Sequence, residues 1–218
     1  MVATKWDRDM IGEIDFKDSD ERFANMFNKE VNMNGGNGNH PAKGSSIKVG
    51  PIADLDAIRL IKEMLYLSNP MHYGLFVVGV NTNLRASDLV RLTHAQVKGI
   101  EVMGEIEVKE KKTGKVRRIS LNRVCVDAIK RLEGEGRLFP LTVSSVHRLV
   151  KGWCRKAGLK GNYGSHTLRK TWGYHQRVTF GVDLPTLMTC FNHATQRQTL
   201  DYLCIQPEEV RCVYENEI

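Results

Sequence analysis

The run Ser165-His166-Thr167-Leu168-Arg169-Lys170-Thr171 is followed by Asn192-His193 and, nine residues after that histidine, by Tyr202. Two imidazoles, a guanidinium and a phenol therefore fall in one C-terminal stretch, and a phosphate is the electrophile that can use all four. With Arg85 and a lysine-rich hairpin upstream, the set reads as phosphoryl transfer through a tyrosine nucleophile.

Each piece taken alone also has a plainer reading. His166 and Arg169 stand three residues apart where a loop enters a helix, so both can reach one pocket beside the positive helix N-terminus; a capping histidine beside a surface arginine fits the same spacing. Arg85 sits at a break between helices in Asn83-Leu84-Arg85-Ala86-Ser87-Asp88-Leu89, where Asp88 can hold its guanidinium. Two arginines at one phosphate would meet both nonbridging oxygens, although a lone arginine there is also an ordinary salt bridge. Residues 109–118 carry Lys109, Lys111, Lys112, Lys115, Arg117 and Arg118. Such a hairpin either touches phosphates nonspecifically or sends one lysine to protonate a leaving 5′ oxygen, and spacing does not choose which. A phenol titrates at about 10, so Tyr202 needs a base or strong positive charge nearby. Tyr163, Tyr174 and Tyr214 are its rivals.

The composition bounds the partners. The 218 residues suffice for one well-buried core, and 41% hydrophobic with 26% charged residues is a globular balance. No apolar run reaches the roughly 18 residues of a membrane span, and the polar start is unlike a signal peptide, so the expected location is cytoplasmic. Cys125, Cys154, Cys190, Cys204 and Cys212 contain no C-x-x-C pair and read as reduced, mostly buried thiols rather than a disulfide or zinc framework. Residues 1–30 carry five basic and eight acidic side chains, which leaves 27 basic against 17 acidic beyond them. That excess favours a polyanionic partner.

The elements follow from the patterning. Residues 32–46 are rich in Gly, Asn and Ser and read as a flexible linker behind an N-terminal arm, in which Phe23, Met26, Phe27 and Val31 share one helix face. Asp54 caps a helix with Leu55, Ile58, Ile61, Met64 and Leu65 on its stripe. Pro70 opens a more buried helix that breaks at Asn81-Thr82-Asn83, and a short helix spans Ala86 to Leu92. From Val97 to Leu121 the pattern alternates, with Ile106 and Val108 before a turn at Lys112-Thr113-Gly114-Lys115 and Val116, Ile119 and Leu121 after it. Helices are expected at about 122–132, 144–157, 167–180, 184–191, 195–203 and 207–215. The fold class is α+β, mainly helical with one small antiparallel sheet.

In this order, the motifs of residues 47–218 resemble the catalytic domain of the tyrosine recombinase, or phage integrase, family. The family's first box, ending Gly-Leu-Arg before a small residue and an acid, resembles Asn83 to Leu89. Its Lys-x-x-Lys-x-Arg hairpin resembles Lys112-Thr113-Gly114-Lys115-Val116-Arg117. Its His-x-Leu-Arg box is similar to His166-Thr167-Leu168-Arg169, and its Leu-Gly-His box to Phe191-Asn192-His193. Asn83 and Asn192 replace glycines, an exchange that asparagine tolerates because it visits the left-handed region, and Lys170 stands where the family often has histidine.

The resemblance implies a catalytic set of Arg85, Lys112, His166, Arg169, His193 and Tyr202. Tyr202 would form a 3′-phosphotyrosine, Arg85 and Arg169 would clamp the phosphate, and Lys112 would protonate the departing 5′ oxygen. His166 would act as base and His193 would donate to a phosphate oxygen. Lys109, Lys111, Lys115, Arg117, Arg118 and Lys170 are the expected DNA contacts, with neither metal nor cofactor. The partners implied are double-stranded DNA with a specific target site, further copies of the chain in a tetramer on two sites, and accessory DNA-bending proteins. Residues 1–46 replace the family's usual N-terminal DNA-binding domain, as in its short, catalytic-only members or in a fragment. Val210, Val213 and Tyr214 offer an apolar face to a neighbouring subunit or to their own domain. A type IB topoisomerase and a noncatalytic DNA-binding accessory protein remain the alternatives.

Overall fold

The computed structural model describes residues 48–193, 195–205 and 207–217. The expected N-terminal arm and the linker at 32–46 lie outside them. Helix α1 (Leu55–Ser68) begins where Asp54 accepts the Asp56 N–H at 2.8 Å. Ala57, Ile58, Ile61 and Leu65 form its buried stripe, while Leu55, expected there, is 39% exposed in the first turn. Asn69 closes α1 with its backbone N–H and opens α2 (Pro70–Asn81) with its side chain, which accepts the His72 N–H at 2.9 Å. Pro70 takes a first-turn position where no N–H is needed.

Helix α2 is buried from Gly74 to Gly79 and packs against α1, α5 (Arg123–Lys130) and α7 (Thr167–Val178). Its approach to α7 is close at Gly79, where an added Cβ would lie 2.6 Å from Leu168 Cδ1. Arg169 follows Leu168, so this contact sets the depth at which that guanidinium sits.

Short helices α3 (Ala86–Leu89) and α4 (His94–Val97) come next. The turn of α4 stands where strand-like alternation was expected to begin, because Thr93 and Gln96 make a reciprocal capping box. Strands β1 (Glu105–Lys109) and β2 (Val116–Ser120) pair antiparallel, with Ile106 opposite Ile119 and Val108 opposite Arg117. Ile106, Val108 and Ile119 are buried, whereas Val116, expected to pack, is 61% exposed. The two-residue period puts Val116 on the outer face with Arg118 and Ser120, and turns Arg117 inward.

The remaining helices are α6 (Val143–Lys156), α8 (Leu184–Phe191), α9 (Gln196–Leu203) and α10 (Pro207–Val213). The main core runs from Ile52 to Leu168, and a separate small cluster of Leu187, Phe191 and Leu203 packs with Trp172 and Tyr202. Among the described residues no helix is long and apolar enough to cross a membrane. All five cysteines are free; Cys125 and Cys154 are buried, which pushes both thiols up to about 12. Cys190 and Cys204 are half-buried and Cys212 is exposed, so burial is less general than expected.

Candidate active site

Arg169, in the first turn of α7, is 1% exposed. Its Nη1 donates to the Asn83 carbonyl at 2.6 Å and to Asn83 Oδ1 at 3.2 Å, and its Nη2 to the Phe191 carbonyl at 3.0 Å. Nη2 also meets His193 Nε2 at 3.4 Å. Among the described residues the Nε–H is buried without a hydrogen-bond partner. Burial, and then the charge of Arg85, lowers the Arg169 pKa, but a guanidinium begins so high that it remains a cation.

Arg85 precedes α3 as its N-cap, and its Nη1 meets Glu110 Oε1 at 2.9 Å. Asp88, expected to hold this guanidinium, instead accepts the Lys111 backbone N–H at 2.9 Å. It thereby pins the start of the hairpin turn, while Glu110, next along the chain, reaches the arginine. Glu110 is 1% exposed and also takes the Thr113 hydroxyl at 2.7 Å and Arg117 Nη1 at 3.2 Å. Burial alone would raise its carboxyl, but these three donors together hold it down at about 2.

Asn83 and Asn192, the two replacements for glycine, both stand in the left-handed region, at φ 52° and 54°. Asn83 places its carbonyl on Arg169, and its amide Nδ2 donates to the Cys190 carbonyl at 2.7 Å. Asn192 ends α8 and turns the chain so that His193 stacks on Phe191 at 5.0 Å between ring centroids.

Tyr202 faces these groups from α9. Its ring centroid lies 5.3 Å from that of His193, 6.4 Å from that of His166 and 5.2 Å from Arg169 Cζ. The Phe191 ring, 5.4 Å from Tyr202, backs the phenol and ties it to the small cluster. His166 opens α7 but makes no side-chain cap, so its ring is not committed to the helix end. Although one side of that ring is open to solvent, partial burial and then Arg169, Lys170, Arg85 and Lys112 lower its pKa. The same causes hold His193 at about 4, burial first, then Arg169 and Arg85, with Glu110 opposing. Both rings are thus neutral at pH 7.

The structure brings Arg85, His166, Arg169, His193 and Tyr202 together. Lys112 lies exposed on the hairpin turn, with its charge felt at both histidines. Lys109, Lys111, Lys115 and Arg118 are exposed, and Arg118 pairs across the strands with Glu107 at 3.2 Å. Two expected DNA contacts are placed otherwise. Arg117 points inward, its Nη2 donating to Asn83 Oδ1 at 3.2 Å and to the Cys190 carbonyl at 2.8 Å. Lys170 is 9% exposed, because α7 turns that face onto the cavity of about 550 Å³ between residues 48–53, residues 160–163 and the end of α9.

Glu110, Asn83 and Thr199 were missed as site residues. Glu110 is the one acid among residues 109–118, and strand alternation from buried Ile119 already puts Arg117 inward, so both placements had a signal. Thr199, fully buried with its Oγ1 3.1 Å from His193 Nδ1, had none.

The chain matches the family model described as phage integrase family over residues 54–209. It is 32% identical over 180 residues to the probable integrase/recombinase YoeC of Bacillus subtilis strain 168, covering 77% of this chain and 96% of that protein. It is similar in fold to the XerA recombinase, with TM-score 0.63 and 21% identity over 81% of this chain and 66% of that one. It is likewise similar to the XerH recombinase bound to palindromic difH substrate, with TM-score 0.63 and 18% identity over 81% of this chain and 56% of that one. For a lambda integrase dimer bound to a COC′ core site, the TM-score is 0.58 and the identity 17% over 75% of this chain and 50% of that one. The chain thus spans between half and two thirds of these solved recombinases.

Proposed function

The chain belongs to the phage integrase family, the tyrosine recombinases, and we propose that it breaks and rejoins DNA at a specific site through a 3′-phosphotyrosine on Tyr202. The observation that carries the assignment of the nucleophile is the seat of the Tyr202 ring, 5.2 Å from the buried Arg169 guanidinium and 5.3 Å from the His193 ring.

The phenol oxygen attacks the scissile phosphorus and its proton passes to neutral His166. Arg85, Arg169 and His193 take up the charge of the pentacoordinate phosphate, and such donors act most strongly when fixed in a water-poor site. The bond from phosphorus to the 5′ oxygen breaks as Lys112 supplies that oxygen with a proton. Attack by a 5′ hydroxyl on the phosphotyrosine reverses the sequence and rejoins the strand. The exposed Lys109, Lys111, Lys115 and Arg118 supply the salt-dependent attraction to duplex DNA.

Recombination needs paired sites, and hence several copies of the chain. Val210, Val213 and Tyr214 at the C-terminus are 49%, 63% and 84% exposed, an apolar face suited to a neighbouring subunit in a tetramer on two sites. Accessory DNA-bending proteins would act on that assembly. A topoisomerase would use the same chemistry without pairing, which family membership does not favour.

The test is covalent trapping on nicked suicide duplexes that the protein binds. The parent chain forms an SDS-resistant adduct and Tyr202→Phe forms none while binding DNA as tightly. An adduct persisting in that variant moves the nucleophile elsewhere, and no adduct from the parent removes the cleavage reading.

A further inference from the structure

We infer that Arg117 is a positioning residue that holds the two phosphate-clamping arginines in mutual register, through acceptors it shares with each of them. The inference rests on the proposed strand-cleavage reading. Three guanidiniums, those of Arg85, Arg117 and Arg169, converge here, and like charges so close repel unless acceptors stand between them. Glu110 Oε1 is one such acceptor, 2.9 Å from Arg85 Nη1 and 3.2 Å from Arg117 Nη1. Asn83 Oδ1 is the other, 3.2 Å from both Arg117 Nη2 and Arg169 Nη1. The Cys190 carbonyl closes the relay, accepting from Arg117 Nη2 at 2.8 Å and Asn83 Nδ2 at 2.7 Å.

Arg117 therefore spends its fork on the protein. Its side chain is 14% exposed and that of Glu110 1%, so the relay is shielded from solvent and salt. Neither clamping arginine can swing far without losing its contact to an acceptor that Arg117 also holds. Glycine at position 83 would accept the left-handed backbone and keep the carbonyl on Arg169, but it would remove the acceptor common to Arg117 and Arg169. The asparagine thus adds a link that the backbone alone does not supply.

The experiment compares single-turnover covalent cleavage at saturating suicide duplex, and duplex affinity across a salt series, for the parent, Arg117→Gln, Arg117→Lys, Asn83→Gly and the double variant Asn83→Gly/Arg117→Gln. Arg117→Gln is expected to slow cleavage about tenfold or more, the scale of a lost charge-assisted hydrogen bond, with affinity and salt slope unchanged. Arg117→Lys keeps the charge but not the fork, and should recover only part of the rate. Asn83→Gly removes a side chain without straining the backbone, so it stays folded and slows cleavage too. The double variant should be little slower than Arg117→Gln alone, because both break one network. A reduced salt slope with an unchanged saturated rate would make Arg117 a DNA contact and overturn the relay. Unchanged rates in Arg117→Gln and in Asn83→Gly, with the parent active, would overturn the relay alone. An inactive parent on DNA that it binds would overturn the cleavage reading and the relay with it.

Discussion

The Thr199 hydroxyl oxygen lies 3.1 Å from His193 Nδ1 and is fully buried. On its other side the ring meets Arg169 Nη2, which can only donate, 3.4 Å from Nε2. Nε2 therefore accepts, and the proton sits on Nδ1, donating to Thr199. To donate to a phosphate oxygen, His193 must gain a second proton, and the negative charge of the DNA must raise its pKa. Thr199→Val should release the tautomer and slow cleavage severalfold, whereas Thr199→Ser should preserve it. Imidazole nitrogen shifts in the free protein check the Nδ1–H form.

Acid should lower the stability of the free protein over two overlapping pH windows. His193 lies at about 4 against an ordinary 6.5, so the folded state binds fewer protons than the unfolded one between these values. Its contribution to stability is present above about 6.5 and lost as pH falls through 4. Glu110, at about 2 against 4.5, contributes fully above 4.5 and loses that contribution as pH falls towards 2. Urea unfolding between pH 7 and 3 measures the slope. His193→Gln should flatten its upper part and Glu110→Gln its lower part.

Gly79→Ala should destabilise the fold by about 1–3 kcal/mol, the usual scale of overpacking, since its Cβ would meet Leu168 Cδ1 at 2.6 Å. The displaced α7 carries Arg169 with it, so cleavage should fall further than the shift in the urea midpoint explains. Equal losses in both measurements would confine Gly79 to packing.

Asn192 turns the chain at φ 54° between Phe191 and His193. Asn192→Gly should leave stability within a few tenths of a kcal/mol, and Asn192→Ala should cost about 1 kcal/mol because of its Cβ. Thermal melting of the pair separates backbone conformation from any role of the amide.

Much of this was legible because local chemistry wrote it. Asp54, Asn69 and Pro70 mark helix ends by capping and by the missing N–H, and they stand where those rules put them. The alternation that exposed Val116 and turned Arg117 inward was equally present, but six basic residues among the ten at 109–118 give a charge pattern that masks the period. Glu110 in place of Asp88 was less legible. Which acid reaches Arg85 depends on how the hairpin folds back over α3, a tertiary fact that spacing along the chain does not encode. Lys170 shows the same limit, since only the packing of α7 decides which of its cations meets water.

The helix bearing Tyr202 is anchored outside the main core, on the patch formed by Leu187, Phe191 and Leu203. Three fully buried side chains hold far less free energy than the thirty or so on the other side of α7. That asymmetry should let α9, which carries Tyr202, open and reseat more readily than the main core, while Phe191 and Cys190 of α8 stay bonded to Arg169, Asn83 and Arg117. Amide exchange there would then report a local opening well below the cost of global unfolding. Tyr202, the proposed nucleophile, thus sits on a smaller apolar cluster than the arginines it faces.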